Sequence, residues 1–217
     1  MSGTGRIWMP DFTAVGKNFL HSLFSQCSIT LNGVTITQAS EIYHYSSYLE
    51  TLLTYGSDAA ASHPTNSFWY LDGGDMLPCD TTAAKNDTTN RRFITRWNKI
   101  KQSKEVQHYG RLNSDVCNVP LYLLPGVQLQ IKLTKARSIF YLIIKSSDSK
   151  TTFKFLDAQL LVQRIRPNPA ILLAHNSTLS KEGIARYNLT RVEHKTFIFS
   201  SGSKSMSIDN PLLGTIP

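Results

Sequence analysis

Apolar and polar residues alternate without a break through residues 127–133, VQLQIKL. A period of two sends one set of side chains to a core and the other to water, whereas a helix would scatter both around its circumference. The pattern predicts a strand that buries Val127, Leu129, Ile131 and Leu133, with Gln128, Gln130 and Lys132 facing solvent or another subunit. Pro125-Gly126 supplies a turn before it, since Pro presets φ and Gly tolerates a positive one. Upstream, residues 121–124 (LYLL) form a short apolar run, and downstream the continuous run 139–144 (IFYLII) suits a strand buried on both faces. Residues 135–138 read as the hairpin connection between them. Strand, turn and strand in this rhythm predict an all-β sandwich.

The rest of the chain adds short helices to that plan. Residues 1–14 have no clear period. Phe19, Leu20, Leu23 and Phe24 have one-faced helical spacing. Residues 27–31 then switch to period two, and Asn32-Gly33, both tolerant of positive φ, predicts a hairpin with 34–37 as its return strand. Tyr48, Leu49, Leu52 and Leu53 predict a second helix, with Ser47 and Glu50 as a capping box and Gly56 as its stop. Burying each Leu or Phe is worth ~1.5–3 kcal/mol, so both helices are expected to lie with these residues on the sandwich.

Further along, Phe68-Trp69-Tyr70 reads as a compact aromatic strand, and residues 72–90 as a long polar surface loop. Residues 152–166 read as a long strand whose apolar residues change sides, which suggests a bulge. Pro167 and Pro169 end it. Ile171, Leu172, His175 and Leu179 suggest a short helix, and residues 189–199 a return to β-structure. The tail carries Met206, Ile208, Leu212, Leu213 and Ile216.

Composition narrows the class. The 217 residues are 41% hydrophobic and 18% charged, an ordinary mixture for a folded chain that argues against wholesale disorder. The longest apolar run falls far short of the ~20 residues that span a bilayer. The opening MSGTGRIWMPDF lacks the apolar core of a signal peptide, so secretion by that route is not expected. The glycosylation-type matches at Asn86, Asn176 and Asn188 are then read as chance. Cys27, Cys79 and Cys117 are scattered and odd in number, which argues for buried apolar residues in a reducing compartment rather than a disulfide framework. The net charge of +8 falls wholly on residues 111–217.

No motif for catalysis emerges. There is no P-loop, no Gly-x-Ser-x-Gly elbow and no His-Glu-x-x-His, and Gly3-Thr4-Gly5 is a lone glycine pair. The six histidines are dispersed. A fold could bring His108 near Cys117, but no ligand spacing supports a metal. No catalytic, cofactor-binding or metal residue is assigned, and no enzymatic activity is expected. The stretch 91–104 (RRFITRWNKIKQSK) interleaves bases with Phe93, Ile94, Trp97 and Ile100. It could be a nucleic-acid patch with stacking aromatics. The preferred reading is an amphipathic element with its aromatics in the core and its bases in water.

Several strings, taken in order, carry a family resemblance: VGKNFLHSLFSQCSITLNG, YHYSSYLETLLTYG, YGRLNSDVCNVPLYLLPGVQLQIKL, FLDAQLLVQRIRPNPAILLAH, RVEHKTFIFSSG and SIDNPLLGTIP. From about Val15 to Pro217 the chain resembles the major capsid protein of Polinton (Maverick) elements and their virus relatives. The resemblance implies a jelly-roll β-sandwich that forms the first half of a double jelly roll. It also implies homotrimeric capsomers that tile an icosahedral shell with other capsid proteins such as a penton. It implies no catalytic residue, cofactor, metal or membrane span, and contact with nucleic acid only through a packaged genome. The expected location is the virion, with the nucleus or cytoplasm before assembly.

On this reading residues 1–14 are an unassigned lead, 15–200 the first jelly roll, and 201–217 a linker toward a second. The family has strands before the matching segment and a second jelly roll after it. The chain alone is therefore expected to associate through open edges and its apolar tail. Two other classes compete. One is a β-sandwich binding module of lectin or receptor-binding type that uses residues 72–90, and would saturate with ligand. The other is a nucleic-acid binder that uses residues 91–104, and would show steep salt dependence.

Overall fold

In chain order the strands are β1 (Ser2–Trp8), β2 (Thr13–Val15), β3 (Phe24–Leu31), β4 (Val34–Thr35), β5 (Glu105–Tyr109), β6 (Leu129–Lys135), β7 (Leu142–Ile144) and β8 (Thr152–Gln159). The helices are α1 (Phe19–Ser22), α2 (Tyr43–Thr54), α3 (Ser57–Ala60), α4 (Arg91–Ile100) and α5 (Pro169–Glu182), with short 3₁₀ turns between elements. This computed structural model describes all residues except 9–12, 38–39, 71–90, 145–150, 193, 195, 198–199, 203, 206 and 208–217; within the elements, the side chains of 2, 3, 6–8, 13, 91, 144 and 182 are also outside the description. Among the described residues the strands form three small antiparallel sheets, ordered β5-β1-β8, β2-β7 and β4-β3-β6. The expectation of a sheet-rich fold with short accessory helices holds at that level.

β1 lies in the middle of its sheet, although residues 1–14 show no period. Its register pairs Ser2 with Tyr109 on one side and with Gln159 on the other. Gly5 explains the missing pattern. A Cβ at this position would run into the ring of Phe153, so a strand covered on both edges uses a glycine where an alternating sequence would show an apolar residue. The register shifts between Thr4 and Gly5, which face Asp157 and Phe155, so Leu156 is the extra residue of a bulge. This is the side switch that the sequence predicts. The strand stops at Gln159 rather than Arg166, with Ser2 opposite Gln159 as the last pair of the ladder.

The predicted turn at Asn32-Gly33 forms, with φ of 48° and 82°, and joins β3 to β4. β6 pairs along the other edge of β3, with Ile29 opposite Ile131 and Cys27 opposite Leu133. The alternation has the predicted sense. Gln128, Gln130 and Lys132 are exposed, while Val127, Ile131 and Leu133 are half-buried. Leu129 departs from it at 37% exposure, because only a thin second cluster around Ile29, Tyr43 and Leu112 covers this face. Pro125-Gly126 turns as expected, with Gly126 at φ 88°.

Six local expectations are corrected. Residues 135–138 do not join a hairpin, since β6 ends on β3 while β7 pairs with β2. The run 139–144 is only partly strand: Ser138–Phe140 is a 3₁₀ turn with Ile139 79% exposed, and burial begins at Tyr141. Phe68-Trp69-Tyr70 is not a strand but the exit of the 3₁₀ turn His63–Ser67, with Phe68 in the left-handed region and both Phe68 and Trp69 buried. Residues 121–124 and the described part of 189–199 form no strand. The capping box at Ser47 is absent as well, because α2 starts four residues earlier, at Tyr43, and Ser47 sits buried inside it.

The main core joins β2, α1, β7 and β8 around Val15, Phe19, Leu23, Tyr141, Leu142 and Phe153. Phe19 packs edge-on against Phe153 at 5.6 Å and Tyr141 at 6.0 Å. Phe24 touches both this cluster and the one under the third sheet. α4 seals a third cluster with Phe93 against Ala14.

Candidate functional site

The orientation of α2 creates a cleft on the surface. Its buried stripe is Tyr43, Ser47 and Thr51, spaced four residues apart, with His44 beside it. Polar contacts hold that stripe inward. Asn113 Nδ2 donates to Ser47 Oγ at 2.7 Å, Asn18 Nδ2 donates to the same oxygen at 3.2 Å, and His21 Nδ1 lies 3.1 Å from Tyr43 OH. The expected burial of the helix leucines is therefore overturned: Leu49, Leu52 and Leu53 are all exposed, Leu53 at 82%. A buried hydrogen-bonded network fixes the rotation of the helix because breaking it strands polar groups away from water.

Leu49 and Leu53 instead line a cleft of about 460 Å³ between α2, the turn at Asp115–Asn118 and the irregular stretch 189–192 with His194. Ile36, Val116, Leu189 and Val192 supply further apolar wall, and Glu50 and Asp115 supply carboxylates. Asn118 Nδ2 donates to Glu50 Oε1 at 3.1 Å. Burial pushes the Glu50 carboxyl up, with the charge of Asp115 adding and the Asn118 hydrogen bond opposing. Cys27 also faces the cleft. Burial pushes its thiol up to about 12, so it is protonated at neutral pH and unsuited to nucleophilic attack.

Ser46 Oγ lies 3.0 Å from His194 Nδ1 at the cleft rim. Among the described residues no carboxylate hydrogen-bonds the other ring nitrogen, so the third member of a serine triad is missing. Likewise, among the described residues no group of three or more His, Cys, Asp and Glu is placed to hold a metal ion, and no helix is long and apolar enough to cross a membrane.

The basic stretch 91–104 folds as α4 and a following 3₁₀ turn. Phe93 and Ile100 enter the core as preferred from sequence. Arg96 does not face water. It is fully buried, and its Nε donates to the Val15 carbonyl at 3.1 Å. Lys99 and Lys101 lie over aromatic rings, Lys99 Nζ 5.3 Å from the Phe68 centroid and Lys101 Nζ 5.2 Å from Trp97. His108 and Cys117 lie in different surroundings: His108 packs on Phe19 and Phe68, and Cys117 belongs to the exposed turn at the cleft. The binding loop considered at 72–90 lies outside the described residues. Sequence reasoning missed the cleft because its walls come from five distant segments.

No family model, curated protein or solved structure matches the chain.

Proposed function

We propose that this chain is a structural subunit of an icosahedral virus-like capsid, a major capsid protein of the Polinton type or part of one, with a jelly-roll sandwich as its body. The ordered strings quoted above support the reading, and small antiparallel sheets with sequence-distant partners are compatible with it. The observation that carries it is the distribution of exposed large apolar side chains. Leu160, Leu161, Val162, Ile165 and Leu173 follow one another along a single stretch, and Leu53 adds a separate site on α2. Exposed apolar surface on this scale marks a face that another protein covers. Repeated copies of one chain supply such a partner without requiring any second component. Negative-stain electron microscopy of the purified chain tests this: trimeric capsomers, sheets or shells support it, and dispersed single subunits under every assembly condition tried count against it.

The cleft beside α2 favours a second reading, a β-sandwich binding module, because it combines apolar walls with two carboxylates. Under that reading glycan or peptide libraries yield a saturable ligand whose binding is lost in Glu50→Gln with Asp115→Asn.

A further inference from the structure

The stretch between β8 and the cleft has an unusual division of labour. Residues 160–171 are exposed throughout, and Leu173 and Ile184 are exposed further on; Leu172 and Leu179 are half-buried. Every hydrogen bond described for residues 160–186 closes within that stretch. Asn168 caps α5 by accepting from the Ala170 N–H at 3.0 Å, Thr178 and Ser180 bond back to carbonyls four residues earlier, and the Gly183 N–H donates to Leu179 O.

Residues 187–192 and His194 are bound quite differently. Tyr187 OH donates to Tyr122 O at 3.0 Å and accepts from the Leu124 N–H at 3.1 Å. Arg191 Nη2 donates to Ile36 O at 2.7 Å, and the Val192 N–H donates to Asp115 Oδ2 at 3.4 Å. His194 meets Ser46, and Leu189 and Val192 complete the apolar wall of the cleft. A strap that grips four separate parts of the body is thus tethered by an arm that, among the described residues, makes no hydrogen bond to it.

We propose that this strap is exchanged between copies, so that residues 187–192 and His194 of one molecule occupy the α2 cleft of a second copy of the same chain. The cleft accepts the strap by contacts already formed within one molecule, and exchange reproduces each of them unchanged. The arm is long enough. Its nine non-helical residues before α5 can span up to ~30 Å when extended and the fourteen-residue helix adds ~21 Å, against a radius of gyration of ~17 Å for a chain of this length.

Within one molecule the strap sees its cleft at an effective concentration in the millimolar range, so exchange needs something extra. The arm supplies it. Leu161, Val162, Ile165 and Leu173 are exposed when the strap closes on its own body, and two arms passing each other can cover them. The inference does not rest on the capsid reading: exchange without shell formation leaves it intact, and shells built without exchange remove it alone.

Cysteine pairing tests it directly. Ser46→Cys and His194→Cys replace a pair of side chains already in contact, in a full-length background with Cys79→Ser and Cys117→Ser. Each single variant is purified, checked for the parent's circular dichroism, mixed and mildly oxidised. The expected result is a covalent dimer that requires both variants in the mixture and disappears when Arg191→Ala is added to the strap-bearing copy. A double variant carrying both cysteines in one chain is the control. If it forms only an internal link while the mixture forms none, the strap stays in its own molecule and the proposal is overturned. If neither forms a link, the strap is not seated at Ser46 and the proposal is equally overturned.

Discussion

Arg96 and Val15 are 81 positions apart, and the Arg96 Nε–H donates to the Val15 carbonyl at 3.1 Å in an interior that leaves the arginine no exposure. The guanidinium lies 5.7 Å from the Phe93 ring on the same helix, so one side chain ties α4 to β2 and fills the space beside Phe93. Arg96→Ala removes a charge-assisted hydrogen bond and leaves a cavity. It is expected to cost about 2–4 kcal/mol, read from urea unfolding. Arg96→Lys restores only part of this, because an ammonium has no Nε donor and no planar fork.

Gly5→Ala is expected to cost about 1–3 kcal/mol, because the added methyl meets the Phe153 ring. That ring cannot easily step aside, being held against Phe19 at 5.6 Å and Phe155 at 4.7 Å. Gly33→Ala is the comparison. It has open space around it but sits at φ 82°, so its cost is about 1 kcal/mol from backbone strain alone. Thermal unfolding of the two variants should rank Gly5→Ala as the more damaging.

These two sites show what the sequence revealed and what it hid. Local rules worked where the residues themselves set the conformation. Asn32-Gly33 turns, Phe19 starts a short helix, and Leu156 marks a bulge. They failed where the partner was distant. Nothing in Arg96 or its neighbours says that Val15 will need a donor. Leucine spacing placed α2 correctly as a helix but on the wrong face, because Asn18 and Asn113 reach Ser47 from outside the window that periodicity sees. β1 was invisible for a related reason: a central strand with glycines in it carries no alternation. The cleft wall, assembled from β4's exit, α2, the Asp115 turn and the strap, has no sequence signature at all.

Stability should fall with acid over a defined window. Burial lowers the imidazole pKa of both His21 and His108 to about 4, from the ordinary 6.5. Above pH 6.5 both rings are neutral folded or unfolded, and their contribution is flat. Between 6.5 and about 4 the unfolded chain takes up protons that the native state refuses, so stability drops, by at most ~3 kcal/mol for each histidine. Glu50 acts in the opposite direction near its own titration, since its raised pKa lets the native state take up a proton first. Urea midpoints measured from neutral pH down to about 4 check this, and His21→Gln with His108→Gln should flatten the slope. An unchanged slope in that double variant would mean the acid sensitivity comes from elsewhere.

The stretch 91–104 should not bind nucleic acid tightly. Arg96 is internal, and Lys99 and Lys101 already lie over Phe68 and Trp97, so few bases remain to meet a phosphate backbone. Titration with labelled single-stranded DNA at physiological salt is expected to give weak binding that changes little in Arg92→Ala with Lys101→Ala. Tight, steeply salt-dependent binding abolished by those changes would restore the nucleic-acid reading.

Self-association is the property on which the capsid account stands, and sedimentation velocity of the chain across a wide concentration range measures it most directly. The account predicts concentration-dependent association through trimers to larger assemblies, weakened when Leu161, Val162 and Leu173 are changed together to Ser. A single monomeric species at every concentration, with a sharp and reversible thermal transition, would contradict it.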